Sequence, residues 1–268
     1  MKKQVLILIL VCVAGLTGLA QNTGEFPVPL SDPAKRGKLK AHLNYGSITV
    51  RGTARKDVLV KYSGKDESSR KPQENPDGLK RISGGSLNLE VSENNNEVKV
   101  QSGSWSNKMS LEIEVPVGFD LKVSSYNDGD IFISNVQGEV EITTYNGEIT
   151  AQNISGSVVA NTYNGDVKIT FDKVSSVPMS YSTYNGDIDL TFPAGLKATL
   201  KMKTQRGEIL SAFDMNVMKN EPVQKKDSGS GSFKIVLDEW VKAEIGGGGP
   251  EISMRNYNGD IKIRKKGS

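Results

Sequence analysis

The chain has 268 residues, 34 of them basic and 31 acidic, with one histidine and one cysteine. That charge balance gives no electrostatic case for nucleic acid, and a lone cysteine excludes an intrachain disulfide framework. Gly-x-Ser-x-Gly elbows, phosphate loops and histidine-rich metal signatures are absent from the sequence.

The opening "MKKQVLILILVCVAGLTGLAQ" places Lys2 and Lys3 before an apolar run at 5–13 and a small-x-small site at Gly18-Leu19-Ala20. This predicts a secretory signal peptide over 1–20. Gly15, Thr17 and Gly18 interrupt the apolar stretch, which is shorter than the ~20 residues of a spanning helix. Cys12 lies inside it rather than at a lipoprotein cleavage point. Cleavage removes Lys2 and Lys3 and no acid, so 34 less 2 leaves 32 basic residues against 31 acidic ones. The expectation is export to the periplasm or the cell surface, with no membrane span in the mature chain.

Pro27, Pro29 and Pro33 mark 21–37 as an extended lead-in, and 38–268 reads as one elongated all-β domain. "LNYGSITV" from Leu43 is a degenerate first corner, and "DVLVKYSG" from Asp57 a strand. "KDESSRKPQENPDG" is a polar loop, followed by alternating strands in "GSLNLEVSE", "NEVKVQSG" and "MSLEIEVPVGFDLKVSS". His42 falls on an outward position of an N-terminal strand, just before Leu43.

From there glycines set a period. Gly129, Gly138, Gly147, Gly156 and Gly165 lie nine residues apart, Gly186 and Gly207 follow at steps of 21, and Gly259 comes after an interruption. Alternate members carry one word: "TYNGEIT" from Thr144, "TYNGDVK" from Thr162, "TYNGDID" from Thr183 and "NYNGDIK" from Asn256. The unit is therefore 18 residues, later 21, with β-type filling, and it predicts a parallel β-solenoid.

Alternation assigns the sides. Ser125, Thr144, Thr162, Thr183 and Thr204 share parity with apolar residues before them and should point inward. Tyr145, Tyr163 and Tyr184 should then point out, while Ile149, Val167 and Ile188 point in again. Thr144 to Ile149 is five steps, so parity flips and a corner must lie between them. Asn-Gly suits it, because both residues tolerate positive φ. Corners repeating once per coil stack about 4.8 Å apart, which allows asparagine ladders and covered tyrosine rings. Residues 215–232 read as an excursion, and the Gly246-Gly247-Gly248-Gly249-Pro250 run as a flexible re-entry to a final coil.

"LEIEVPVGFDLKVSS" leading into "GDIFISNVQGEVEITTYNGEITAQNISGSVVANTYNGDV", and the closing "IGGGGPEISMRNYNGDIKIRK", resemble the bacterial putative-adhesin family. The resemblance covers residues 39–266 and implies a single-domain right-handed parallel β-helix in an exported protein of adhesin type. With no nucleophile elbow, phosphate loop or histidine-rich signature in the sequence, no cofactor and no catalytic residue is expected.

Three sets of residues are candidates for chemistry. Asp130, Glu148, Asp166, Asp187, Glu208 and Asp260 line one edge beside Lys168 and Lys262. A solvated acidic edge is expected; a calcium stripe is the alternative, although the doubled Gly-Gly-x-Gly-x-Asp turn of calcium β-rolls is missing. Asp187 and Asp189 near Lys168 and Lys203 are the nearest approach to a polysaccharide-cleaving cluster. The third set is the outward strip Tyr145, Tyr163 and Tyr184, with Tyr126 and Tyr257 at the ends and Gln205 breaking the row. Each ring has an apolar face and a polar tip, so this strip is the candidate contact for a cell-envelope protein or glycan. A non-enzymatic adhesin-like solenoid is the expected function; the alternatives are a polysaccharide-active enzyme on this fold and a structural envelope component without a ligand.

Overall fold

The computed structural model describes residues 21–65, 88–218, 223–226, 233–236 and 240–267. The expected signal peptide over 1–20, residues 66–78 of the expected polar loop, and residues 219–222 and 227–232 of the expected excursion fall outside them. Every regular element among the described residues is a strand.

Strands form where the sequence alternates, and the alternation is what buries them. Val140–Thr144 is one such strand, with Val140, Ile142 and Thr144 inside and Glu141 and Thr143 outside. The chain then turns through Tyr145, Asn146 and Gly147 and runs on as Ile149–Gly156, with Ile149 and Ala151 inside. Each coil thus contributes an entry strand before the corner and an exit strand after it, and the core lies between the two faces. On the entry face Ile142, Ala160 and Tyr181 stand in register, as Ile149, Val167 and Ile188 do on the exit face. All six are fully buried, each worth about 1.5–3 kcal/mol for the larger side chains. Phe171 and Phe192 stack inside, 5.1 Å between centroids.

The order of coils in the stack is not their order in the chain. Glu251–Arg255 pairs in parallel with Met179–Ser182 on one side and with Ala198–Lys203 on the other. Ile261–Lys265 lies likewise between Ile188–Phe192 and Ile209–Ser211. The last coil is therefore threaded into the stack instead of finishing it. At the other end Lys38–Thr53 crosses both faces. Its first half lies between Glu97–Ser102 and Asp120–Asn127, and its second half between Met109–Pro116 and Ile131–Ser134. "LNYGSITV" is a corner, but of the second coil from that end.

Nor is the pairing all parallel. Gln21–Val28 pairs antiparallel with Val58–Lys65, which pairs antiparallel with Met109–Pro116, and Leu89–Asn94 pairs antiparallel with Glu97–Ser102. At the opposite end Val241–Ile245 and Asn216–Val217 add antiparallel strands beyond Ala198–Lys203. Antiparallel strands thus lie outside the parallel coils at both ends. Residues 21–28 of the expected lead-in form a strand.

The corner bends differently from the expected way. In the Tyr-Asn-Gly words positive φ falls on the glycine, at Gly165 and Gly186 (146°) and Gly259 (131°), and on none of the asparagines before them; at the Tyr126 corner it falls on Asp128 (43°). A Cβ added at Gly165 or Gly186 would also overlap the backbone carbonyl of the corner glycine one coil away. Glycine is needed here for close approach as much as for φ. The glycine run after Ile245 is a defined turn, with Gly246, Gly247 and Gly248 at φ 62°, 86° and 84°.

Candidate functional site

Parity at the corner decides which side chains face out. Ser125, Thr144, Thr162 and Thr183 are buried and Thr204 is half-buried. Each hydroxyl donates to the carbonyl of a corner glycine in the adjacent coil: Ser125 to Gly46 (2.7 Å), Thr144 to Gly129 (3.2 Å), Thr162 to Gly147 (3.1 Å), Thr183 to Gly165 (2.9 Å) and Thr204 to Gly259 (2.9 Å). In the threaded coil Asn256 replaces the threonine, and its Nδ2 donates to Gly186 at 2.9 Å.

The next residue along is outward. Tyr126, Tyr145, Tyr163 and Tyr184 are 40–42% exposed and Tyr257 is half-buried. Their rings form one column, with centroids 4.9, 4.9, 4.9 and 4.6 Å apart and interplanar angles of 11°, 2°, 0° and 3°. Threading the last coil beside Tyr184 is what places Tyr257 in the column and leaves Gln205 beyond it. Two end groups escaped the sequence reading. Trp105, 60% exposed, meets Tyr126 edge-on at 5.3 Å, and the Arg206 guanidinium lies 5.7 Å over Tyr257. Ring faces inside the column are covered by their neighbours, so ring edges and hydroxyls are what it offers outward.

Beside the rings runs an amide ladder. Asn146 Nδ2 donates to Asn127 Oδ1 (3.3 Å), Asn164 to Asn146 (2.8 Å), Asn185 to Asn164 (2.7 Å) and Asn258 to Asn185 (2.7 Å). The acidic row follows, and it is not merely solvated. Asp130, Asp166, Asp187 and Asp260 accept the backbone N–H of Glu148, Asp187, Asp260 and Glu208 at 2.8–3.0 Å. Lys168 bridges Glu148 (3.2 Å) and Asp166 (3.1 Å), and Lys262 bridges Asp187 (2.6 Å) and Asp260 (3.4 Å).

These contacts set the protonation. Burial works against ionising Asp187, but the Lys262 ammonium and the Asp260 N–H together hold its carboxyl below the usual range. The Asp187 carboxylate in turn raises Lys262, and Asp166 raises Lys168. Among the described residues no group of three or more His, Cys, Asp and Glu is arranged to hold a metal ion.

Of the expected sugar-cleaving cluster, Asp187, Asp189 and Lys168 come together on the exit face and Lys203 does not join them. Asp189 is in register with Lys168 and is bound by Arg264 at 2.7 Å, whereas Lys203 stands on the entry face in register with Arg255. His42 is exposed on its strand, 2.8 Å from Ser124 Oγ and 3.0 Å from Asn44 Oδ1. Among the described residues no helix is long and apolar enough to cross a membrane.

Residues 118–239 match the family model described as Toastrack DUF4097. No curated protein matches the sequence. Among solved structures, a putative cell adhesion protein from Clostridium sporogenes aligns over 92% of this chain and all of its own, at 12% identity and a TM-score of 0.50. A putative adhesin from Bacteroides fragilis aligns over 92% of this chain and 98% of its own, at 11% identity and a TM-score of 0.38. The likeness to the putative-adhesin family carried by the repeat words is therefore real, and it rests on a Toastrack DUF4097 match that takes in the Tyr145, Tyr163 and Tyr184 corners and ends before the Tyr257 corner.

Proposed function

We propose that this protein is an exported, non-enzymatic, adhesin-like β-solenoid. In this reading its coils are right-handed, as strand twist favours, and its tyrosine ridge contacts a protein or glycan of the cell envelope. The observation that carries the reading is the unbroken column from Tyr126 to Tyr257, with four rings 40–42% exposed. Large amphipathic rings held rigid by their neighbours lose little entropy on binding. Their covered faces suit a partner lying flat along the edges and hydroxyls, not a sugar inserted between rings. The relative named for cell adhesion supports the same reading.

The test is a pull-down from envelope fractions and a polysaccharide panel, comparing wild type with Tyr145→Ser/Tyr163→Ser/Tyr184→Ser. The expected result is capture by wild type and loss of capture by a triple variant that keeps its far-ultraviolet β signal. Capture that survives in the folded variant overturns the ridge as the contact. New reducing ends or unsaturated products in the panel overturn the non-enzymatic reading.

A further inference from the structure

The two sides of the corner differ in charge. On the exit face Lys168, Asp189 and Lys262 stand in register from coil to coil. On the entry face the outward residue two places before each tyrosine is short and mostly uncharged. Ser124, Thr143, Asn161 and Ser182 stand in register as one row, which passes to Arg255 only at the Tyr257 coil. Residues two apart on a strand share a face, so this row runs alongside the tyrosine column. Thr143 is exposed and the other three are half-buried. Ser182 Oγ donates to Asn161 Oδ1 at 2.7 Å, and Ser124 Oγ lies 2.8 Å from His42 Nδ1. One row further back Lys122 pairs with Glu141 at 2.8 Å, and Val159, Ser180 and Ser253 follow in register. Short side chains beside tall rings make a shelf with a wall, low in charge and rich in hydroxyls. Trp105, 60% exposed and edge-on to Tyr126, extends the wall at one end. The wall repeats at 4.9 and 4.6 Å between ring centroids, and an extended β-1,4-linked pyranose chain advances by nearly the same distance per sugar.

We infer that this shelf binds a neutral, extended β-1,4-linked polysaccharide, laid along the solenoid axis with one sugar per coil. The inference rests on the envelope-ligand reading above and names the ligand class. Successive coils offer successive sugars a similar pair of groups: a phenol at the wall, and a hydroxyl or amide on the shelf, each able to donate and accept. A register held over several coils lets individually weak contacts add along one chain. An α-1,4-linked chain winds into a helix and leaves the register within a few sugars. An anionic chain meets the Lys122–Glu141 pair and then uncharged side chains, so its charge gains nothing there. Trp105 supplies what the covered tyrosines lack, an open aromatic face on which the C–H face of a sugar stacks.

The test titrates the full chain by calorimetry with cello- and chito-oligosaccharides from disaccharide to hexasaccharide, and with maltohexaose and heparin for comparison. The proteins are wild type, Thr143→Lys, Asn161→Ala/Ser182→Ala and the triple tyrosine variant. Expected is binding of at least one β-1,4-linked series, with the hexasaccharide at least about ten-fold tighter than the disaccharide. That affinity should hold steady between about 50 and about 500 mM salt, and both shelf variants should bind at least about ten-fold more weakly. Circular dichroism and the thermal midpoint establish that the variants fold; Thr143→Lys alters one exposed side chain and serves if the double variant does not fold. No binding of either series, affinity independent of length, equal binding of maltohexaose, tighter binding of heparin, or unchanged affinity in the folded shelf variants overturns the proposal. Capture of an envelope protein through the tyrosines without any sugar binding overturns the shelf and keeps the ridge. Sugar binding lost in the shelf variants but kept in the triple tyrosine variant keeps the shelf and sinks the ridge.

Discussion

Each letter of the corner word makes its own bond to a neighbouring coil. Thr183 donates to the Gly165 carbonyl, Tyr184 stacks on Tyr163, Asn185 donates to Asn164, and the Asp187 N–H donates to Asp166. These bonds differ in what their loss costs. Thr183→Val removes a buried donor to a carbonyl and is expected to cost about 1–3 kcal/mol. Gly165→Val adds a branched side chain where φ is 146° and where a Cβ alone overlaps the Gly147 carbonyl, so it should cost more than Thr183→Val. Urea midpoints of the two variants check the order; a Gly165→Val midpoint at or above that of Thr183→Val would mean that the coils separate freely at the corner. Threonine burial, tyrosine exposure and the asparagine ladder were all legible from parity and period. The acidic row was not: a carboxylate that caps the next coil's N–H and a solvated one are written with the same letter.

Among elements, the parallel coils were legible and their order was not. Coils of equal cross-section carry interchangeable words, so nothing local states which copy sits beside which. A signal was present nonetheless. Gln205 and Arg206 replace the Tyr-Asn pair, and an unbroken column requires Tyr257 to adjoin Tyr184, which puts the 198–211 coil outside. The antiparallel end strands left no such trace, since alternation is the same in either direction. Threading gives the last coil unusual weight. Ile252, Met254, Ile261 and Ile263 are buried between two other coils, each worth about 1.5–3 kcal/mol, together on the order of a domain's whole stability. Removing residues 250–268 should abolish cooperative thermal unfolding. Removing 21–28, an edge strand that puts Val28 into the core and packs Phe26 against it, should lower the midpoint and leave the transition cooperative. Calorimetry on both truncations decides; a cooperative transition in the first would show that the 198–211 coil closes onto Ile188–Phe192 unaided.

For the whole molecule, titration separates the ridge from the core. Carboxylates such as Asp187 are held below their ordinary range, so their stabilisation is present above the unfolded value of about 4 and is lost as pH falls through the folded one. The alkaline limit has another origin. Tyr181 is completely buried between Ala160 and Met254, with its hydroxyl 3.3 Å from Met179 Sδ, and burial raises its pKa well above the usual value. The unfolded chain releases this proton near pH 10 while the folded chain retains it. Stability from this group is therefore full below about pH 10 and declines as pH rises beyond it. The paired lysines Lys168 and Lys262, also raised, add to the same limb. Tyr181→Phe removes the buried phenol and keeps the ring, exchanging a weak bond to sulfur for none. Its urea midpoint should match wild type within a small offset at pH 7 and fall less steeply above pH 10. Parallel midpoint curves for the two proteins between about pH 9 and pH 11.5 would locate the alkaline limit in the lysine pairs of the exit face and remove Tyr181 from the account.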